Sequence, residues 1–259
     1  DGKVMAVAFM ANTQHLYYRE DVLKELGIPV PKTYEEVVAA SEKIRASGKM
    51  QHPYAAAYKA GWNLAEEFVN MFIGHGGEFF KAGTAEPNIN NAKGVATLNM
   101  LKKLASLSNP DYLTHDSEAI KVEWESGKVA LMTLWASRSG TLLDDEGDAK
   151  ITAATKLTGP ATVGGGNIPA ATLWWDGFTL AKNRSDSDAE ATFIALAHAA
   201  SNKKMVADAA DQAVWLVEGF VPGPKSIGVI EAVKMGAKPY PMLPQMGLMH
   251  GALGSEIVE

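Results

Sequence analysis

The sequence predicts an α/β fold, because strand-like segments alternate with helix-like segments along its 259 residues. The clearest helix begins at Thr33, where Val37, Ala40 and Ile44 form an apolar stripe at helical spacing. The clearest strand is the apolar run at 129–135. A chain of this length can bury a large core in one domain or in two smaller ones. No internal repeat or low-complexity linker divides it.

In the first half of the chain, each predicted element follows from alternation for a strand or from helical spacing for a helix. Thr33 and Glu36 have the spacing of a capping box, and Gly27 suits a left-handed cap at the end of a helix. In chain order the elements are strands at 4–10 and 16–18, helices at 19–26 and from 33, a strand at 54–58, and helices at 64–73, 91–107 and 117–125. The stripe predicted to be buried on the helix at 91–107 is Val95, Leu98, Leu101 and Leu104.

The second half is predicted in the same way. Its elements are strands at 129–135, 151–157 and 178–180, and helices at 185–201, 203–213 and 227–235. The acidic segment 144–148 is predicted to be a solvated loop. Prolines keep the segment from 237 extended at first, and residues 249–259 are typical of the opening of a helix. The residues predicted to be buried on the helix at 185–201 are Ala191, Ile194, Ala195 and His198.

Composition and motifs exclude several classes of function. The formal charge of -6 and the pI near 5.6 argue against nucleic acid or an anionic membrane surface as the main partner. The chain has no cysteine, so disulfides and thiolate sites are excluded. It has no phosphate-binding loop, zinc-protease motif or nucleophile elbow, and its six histidines lack metal-ligand spacing. We therefore expect no cofactor and no metal.

Two adjacent tryptophans, Trp174 and Trp175, precede Asp176 and Gly177. Because neighbouring residues of a strand face opposite ways, the two rings cannot enter the same core. One of them is therefore expected to face a cleft or a domain boundary. At Gly177 the backbone can bend, or another group can approach it closely.

Two further tryptophans lie at the ends of predicted elements beside polar residues. Asn63 follows Trp62, and Arg138 lies three residues after Trp135. A large ring with a donor N–H is suited to stacking on a sugar face while polar neighbours bond the sugar hydroxyls. The alternative for each ring is ordinary half-buried packing, and for Arg138 it is a surface salt bridge.

A carbohydrate-acting enzyme is the competing interpretation. Hydrolysis of a glycosidic bond needs two carboxyl groups set across a cleft. Asp176, Glu66 and Glu67 are the candidates, although the two glutamates are expected to form the exposed face of their helix.

Five stretches, taken in their order, resemble extracellular solute-binding proteins of carbohydrate ABC importers, the maltose-binding-protein-like group known as family 1. They are DGKVMAVAF at 1–9, LYYREDVLKELGIPVPKTYEEV at 16–37, GKVALMTLW at 127–135, WDGFTLAKN at 175–183 and PMLPQMG at 241–247. The resemblance covers essentially the whole chain. It implies a periplasmic-binding-protein-like fold of class II type, with two α/β lobes that close on a ligand.

The resemblance also implies the site and its partners. It makes Trp62 and Trp135 aromatic platforms of the second lobe, and Trp175, Asp176 and Gly177 contacts near the hinge. Asn12 and Gln14 lie near the first crossing between lobes, and His250 stands where relatives often place an aromatic residue. The implied partners are a small carbohydrate ligand and the membrane permease of an ABC importer. We expect a monomer in the periplasm or outside the cell, lipid-anchored in a Gram-positive host.

The same comparison predicts how the chain divides. Residues 1–11 are a crossing strand from lobe 1, 12–173 are lobe 2, 174–226 belong to lobe 1, and 227–259 return to lobe 2 with a truncated C-terminal helix. Relatives begin with a βαβ set of the first lobe that is not found here, and no signal peptide is visible. We therefore expect largely the second lobe plus part of the first, with exposed apolar surface and unpaired strand edges in the first lobe.

Overall fold

The computed structural model describes residues 4–144, 147–201, 207 and 209–258. In this part of the chain the strands are β1 Val7–Asn12, β2 Gln14–Arg19, β3 Tyr54–Ala55, β4 Leu131–Trp135, β5 Thr155–Thr158, β6 Thr172–Phe178, β7 Val214–Trp215 and β8 Lys238–Pro239. The α-helices are α1 Glu20–Glu25, α2 Tyr34–Ala46, α3 Trp62–Gly74, α4 Ala92–Ala105, α5 Ser117–Glu125, α6 Ser139–Leu142, α7 Ala149–Ala154, α8 Asp186–Ser201, α9 Ile227–Lys234 and α10 Met246–Glu256. Short 3₁₀ turns lie at Tyr112–Thr114, Ala136–Arg138 and Pro224–Ser226.

The strands form two four-stranded sheets. The first sheet has the order β7-β1-β6-β8 and the second sheet the order β3-β4-β2-β5. Only Thr13 separates β1 of the first sheet from β2 of the second, so the chain passes from one sheet to the other at that residue. The two sheets therefore meet where β1 ends and β2 begins.

The core lies around the second sheet. Because side chains alternate along a strand, Leu16 of β2 enters the cluster formed with α2, α3, α4 and α10, while Tyr17 enters a smaller cluster around Trp124. The predicted start of α2 is confirmed: the Thr33 side chain accepts from Glu36 N, and the Glu36 carboxylate accepts from Thr33 N. Helices alternate with strands along the described chain, as the sequence predicts.

Three predictions of local structure are wrong. The segment predicted as a strand at 151–157 begins as α7, because the Asp148 side chain accepts from Lys150 N and Ile151 N and starts a helical turn. On α4, Leu101 and Leu104 are buried as predicted, but Val95 and Leu98 are exposed, and Gly94 and Thr97 are buried in their place. A side chain at Gly94 would collide with the backbone of Ile89, so small residues face inward where the helix packs closely. The strand predicted at 178–180 ends at Phe178 and starts six residues earlier.

The largest difference concerns α8, none of whose described residues is buried. Ile194 is 60% exposed and its neighbour Phe193 is 50% exposed, and the other three residues predicted to be buried there are exposed as well. Periodicity predicts a helix, but burial needs a partner element, and the described part of the chain places none over this face. The predicted exposed apolar surface is therefore found here, and the short strands β7 and β8 form the edges of the first sheet.

Four predictions lie wholly or partly outside the described residues: the turn at 1–3, part of the acidic loop at 144–148, five residues of the helix at 203–213 and the end of the segment at 249–259. The described residues 209–212 form a turn, so the helix predicted to run to 213 is wrong there. None of the helices described here combines the length and the apolarity that crossing a membrane requires.

Candidate functional site

The junction of the two sheets brings four predicted site residues together. Asn12 pairs with Trp174 across the first sheet, and Gln14 pairs with Trp135 across the second. The side chain of Asn12 then joins the two sheets directly: its Oδ1 accepts from Ser137 N at 3.2 Å, and its Nδ2 donates to Ser137 Oγ at 3.3 Å. Trp174 and Trp135 therefore face each other because the chain changes sheets at Thr13.

Trp62, at the start of α3, completes an aromatic wall with Trp135 and Trp174. The ring centroids lie 6.2 Å apart for Trp62 and Trp135, and 6.1 Å apart for Trp174 and either of the others. The Trp62 side chain is 51% exposed, so the wall offers indole surface to solvent. Stacking against a sugar ring is what such a surface does well.

Two residues support this wall from behind. The His250 ring lies 5.1 Å from Trp62, and the Tyr240 ring lies 4.5 Å from Trp174. Because the carbonyl of Trp62 can only accept, His250 Nε2 donates to it at 3.0 Å, and His250 Nδ1 is then left to accept from the Tyr240 hydroxyl at 2.9 Å. Burial lowers the pKa of His250, which agrees with this neutral tautomer. His250 therefore supports the Trp62 ring from a buried position and offers no ring face to the solvent side of the wall.

A cavity of about 340 Å³ opens beside the wall. It is lined by Asn12, Trp62, Ser117, Trp135, Ser137, Arg138, Trp174 and Asp176. A larger cavity of about 960 Å³ lies beside the loop at 76–85, away from the junction of the sheets, and no tryptophan lines it. The smaller cavity, with aromatic surface and several polar groups, has the features of a site for a polyhydroxylated ligand.

The charged groups of this cavity are not equivalent. Arg138 Nη1 lies 2.5 Å from Glu118 Oε1, so the guanidinium already has a carboxylate partner. Asp176 forms no ion pair with any described residue, and partial burial raises the pKa of its carboxyl. Asp176 is thus open to accept hydrogen bonds from a ligand hydroxyl or amine.

Five predicted residues lie outside this cavity. Trp175 and Gly177 face away from it, because they alternate with Trp174 and Asp176 along β6. Gln14 and His250 are buried behind it, and Asn63 is half-buried in the first turn of α3. Of the adjacent tryptophans, the structure directs Trp174 to the cavity and leaves Trp175 54% exposed on the other face.

Sequence reasoning missed a polar network behind the cavity. Glu66 and Glu67 were expected on an exposed face, but they are 0% and 4% exposed. Thr172 Oγ1 lies 2.6 Å from Glu66 Oε1, 2.8 Å from Asn70 Oδ1 and 2.7 Å from Trp174 Nε1. The polar face of α3, formed by Glu66, Glu67 and Asn70, is typical of an exposed helix side, so no local signal marks its burial. These side chains are buried because β6 and the β1–β2 crossing bond to that face.

The network continues from α3 to the crossing between β1 and β2. Gln14 Nε2 donates to Glu67 Oε1 at 2.9 Å, and Asn70 Nδ2 donates to Gln14 Oε1 at 3.2 Å. Thr13 Oγ1 donates to the carbonyl of Thr172 at 2.8 Å. Burial raises the pKa of Glu66 and that of Glu67 to about 8. Helix α3 thus holds both β1–β2 and β6 through groups that are neutral near pH 7.

These two carboxyls make stability depend on pH. Because their folded pKa lies above the unfolded value, the folded state keeps protons that the unfolded chain releases, so stability falls as pH rises toward about 8. Each such carboxyl lowers the free energy of unfolding by up to about 1.4 kcal/mol per pH unit in that window. We expect the melting temperature of the wild type to fall between pH 6.5 and 8 by calorimetry. The Glu66→Gln/Glu67→Gln double variant should show a much smaller slope.

The pH range starts at 6.5 because, at lower pH, the titration of a buried histidine changes stability in the opposite direction. Burial lowers the pKa of His15 to about 4, so its stabilising effect is lost only as pH falls below its unfolded value. A wild-type melting temperature that is constant or rises from pH 6.5 to 8 would contradict the neutral state of the two carboxyls.

Comparison with known proteins bears on the family and on the fold. The family model described as bacterial extracellular solute-binding protein matches residues 1–206. A protein of Deinococcus radiodurans described as "Probable ABC transporter-binding protein" is 29% identical over 190 residues, which are 70% of this chain and 44% of the relative. The chain therefore spans less than half the length of that relative.

Two solved structures show the same fold. The maltose-bound MalE3 of T. maritima superposes with a TM-score of 0.85 at 20% identity, over 99% of this chain and 67% of that one. A solute-binding protein of Agrobacterium radiobacter K84 in complex with ribitol superposes with a TM-score of 0.81 at 20% identity, over 99% of this chain and 66% of that one. The predicted fold class, a two-lobed binding-protein fold of which this chain spans a part, is thereby confirmed.

Proposed function

Because the chain belongs to the bacterial extracellular solute-binding protein family, we propose that it captures a sugar, polyol or amino sugar beside its aromatic wall and delivers it to the membrane permease of an ABC importer. The single observation that carries the ligand class is the convergence of Trp62, Trp135 and Trp174 from three different elements beside Asn12 and Asp176. Indole faces and a few polar groups together are the means by which proteins hold sugars.

We assign the ligand contacts to the residues that line the cavity. The tryptophans stack on the ligand, while the Asn12 amide and the Asp176 carboxylate bond its hydroxyls. Asp176, open to a new partner, also suits an ammonium group, which is why amino sugars belong to the class. Trp62 and Trp135 lie on the side of the second sheet, whereas Trp174 and Asp176 lie on the side of the first sheet. Closure of the two lobes would therefore enclose the ligand between these two pairs of residues.

The family also bears on location and partners. The description of the family is extracellular, and we expect this protein in the periplasm or, in a Gram-positive host, anchored outside the cell. We further expect it to act as a monomer and to meet the permease in its closed form. The predicted division into 1–11, 12–173, 174–226 and 227–259 places the lobe boundary next to Thr13 and Trp174 and is kept as part of the proposal.

The competing glycosidase is not supported. Family and fold are those of non-enzymatic solute-binding proteins. Among the described residues lining the cavity, Asp176 supplies the single carboxylate, whereas a glycosidase needs two. Glu66 and Glu67 are buried behind the wall, and Glu118 pairs with Arg138.

Calorimetric titration with maltose, ribitol and glucosamine tests the ligand class. We expect saturable heat from at least one of the three, and none from glutamate, which has no ring or polyol chain for the indoles to cover. Circular dichroism on the same sample shows that the chain is folded. A folded chain that binds glutamate and none of the three carbohydrates would contradict the proposal.

A further inference from the structure

The Thr172 hydroxyl lies within hydrogen-bond distance of more acceptors than its single proton can donate to. Trp174 Nε1–H can only donate, so Thr172 Oγ1 accepts that bond. Asn70 Oδ1 accepts from Thr172 N at 2.7 Å, which identifies that atom as the amide oxygen, and it can only accept. The hydroxyl of Thr172 has one proton for two oxygens, Asn70 Oδ1 at 2.8 Å and Glu66 Oε1 at 2.6 Å.

A proton on Glu66 resolves this arrangement. If Glu66 Oε1–H donates to Thr172 Oγ1, the Thr172 hydroxyl is free to donate to Asn70 Oδ1, and every short contact has one proton. If Glu66 is ionised, the Thr172 proton goes to one oxygen and the other contact sets two lone pairs face to face. The count of donors and acceptors therefore requires a neutral Glu66.

The surroundings of Glu66 agree with this count. Its second oxygen, Oε2, is buried and has no hydrogen-bond partner among the described residues, which is costly for a carboxylate and tolerable for a neutral carbonyl. Among these residues no lysine or arginine forms an ion pair with Glu66 or Glu67. The titratable groups facing the pair are Tyr240 toward Glu66, and Tyr34, Tyr54 and Tyr58 toward Glu67.

We propose that Glu66 is a positioning residue of the ligand site: its neutral carboxyl donates to Thr172, and Thr172 in turn holds the indole N–H of Trp174 in the wall. The proposal rests on the proposed function in so far as Trp174 contacts the ligand. Loss of the Glu66 proton draws the Thr172 hydroxyl toward the carboxylate, and the Trp174 N–H gains a competing acceptor. The ring then loses its fixed orientation, so the ligand site is coupled to one buried proton.

The protonation of Glu66 can be followed by NMR in the absence of any ligand. In protein labelled with ¹⁵N at the indoles, the Trp174 signal is assigned by its absence in Trp174→Phe and is then followed from pH 5 to 10. We expect it to move with a midpoint near the pKa of Glu66, about 8. The signal should stay constant in Glu66→Gln, because the glutamine amide donates to Thr172 at every pH.

Glu67→Gln is the matched control, since Glu67 is the adjacent residue and buried like Glu66, but bonds Gln14 and not Thr172. Its Trp174 signal should still titrate. An infrared band of a neutral carboxylic acid at pH 7 that weakens in Glu66→Gln supports the same assignment in the wild type itself. A Trp174 signal that is constant in the wild type, or that titrates in Glu66→Gln, overturns the proposal.

Ligand binding separates this proposal from the proposed function. At pH 9, one unit above the folded pKa, about one tenth of Glu66 keeps its proton, so affinity for maltose or ribitol should be about tenfold weaker than at pH 6. Glu66→Gln should bind either of these ligands equally at both pH values. The amine of glucosamine itself loses its proton between these pH values, so for that ligand the wild type is compared with Glu66→Gln at each pH. If none of the three binds at pH 6, the proposed function fails while the indole titration still decides the role of Glu66. If one binds equally at pH 6 and 9 in the wild type, the positioning role is overturned.

Discussion

Replacing Trp174 by alanine is expected to weaken binding of the carbohydrate ligand by about thirtyfold or more, whereas the same change at Trp175 should alter it by about twofold at most. The two residues are adjacent and identical in type, but only Trp174 lines the cavity and contacts the rings of Trp62 and Trp135. The large effect has two sources: the loss of an aromatic face and the loss of the ring that fills the junction of the sheets.

Calorimetric titration with whichever of maltose, ribitol and glucosamine binds the wild type measures this difference. The melting temperature of both variants shows whether the fold is kept, and Trp174→Phe retains an aromatic face if alanine destabilises the chain. Equal affinities for the Trp174 and Trp175 variants would mean that the ligand does not lie against this wall.

Replacing Gly254 by alanine is expected to destabilise the chain by about 1–3 kcal/mol, because α10 packs backbone against backbone on the start of α3. Gly61 N donates to Gly254 O at 3.0 Å. A Cβ on Gly254 would lie 2.4 Å from Gly61 O and 2.6 Å from Gly61 C, and backbone atoms cannot rotate away. Gly61 directly precedes Trp62, so the forced displacement should also move the aromatic wall and weaken ligand binding.

Gly251→Ala is the matched control on the same helix. A Cβ at Gly251 meets nothing within 4 Å, so this variant should gain up to about 1 kcal/mol from the better helix propensity of alanine. Thermal unfolding measured for both variants gives the comparison, with an expected fall of roughly 3–10 °C for Gly254→Ala. A Gly254→Ala protein as stable as Gly251→Ala would show that α10 and α3 are not held this closely.

Much of the fold could be predicted from local sequence. The capping box at Thr33, the buried stripe Val37, Ala40 and Ile44, and the strand that ends at Trp135 depend on residues within a few positions of one another. The aromatic residues Trp62 and Trp135 could be selected as site candidates because large rings at the ends of elements are exposed to a cleft or to solvent. The order of the motifs identified the family, which the family match over residues 1–206 confirms.

The sequence by itself determined the α/β order of elements, the family and the type of side chain that lines the cavity. Only the tertiary structure decided that Trp174 and not Trp175 faces the cavity, that no described residue of α8 is buried, and that Glu66 lies in the interior beside Thr172. The physical reason is that a local pattern fixes which residues share a face, whereas burial and ionisation depend on what packs against that face. For the stretch from Thr172 to Gly177, that partner is α3, more than a hundred residues earlier in the chain.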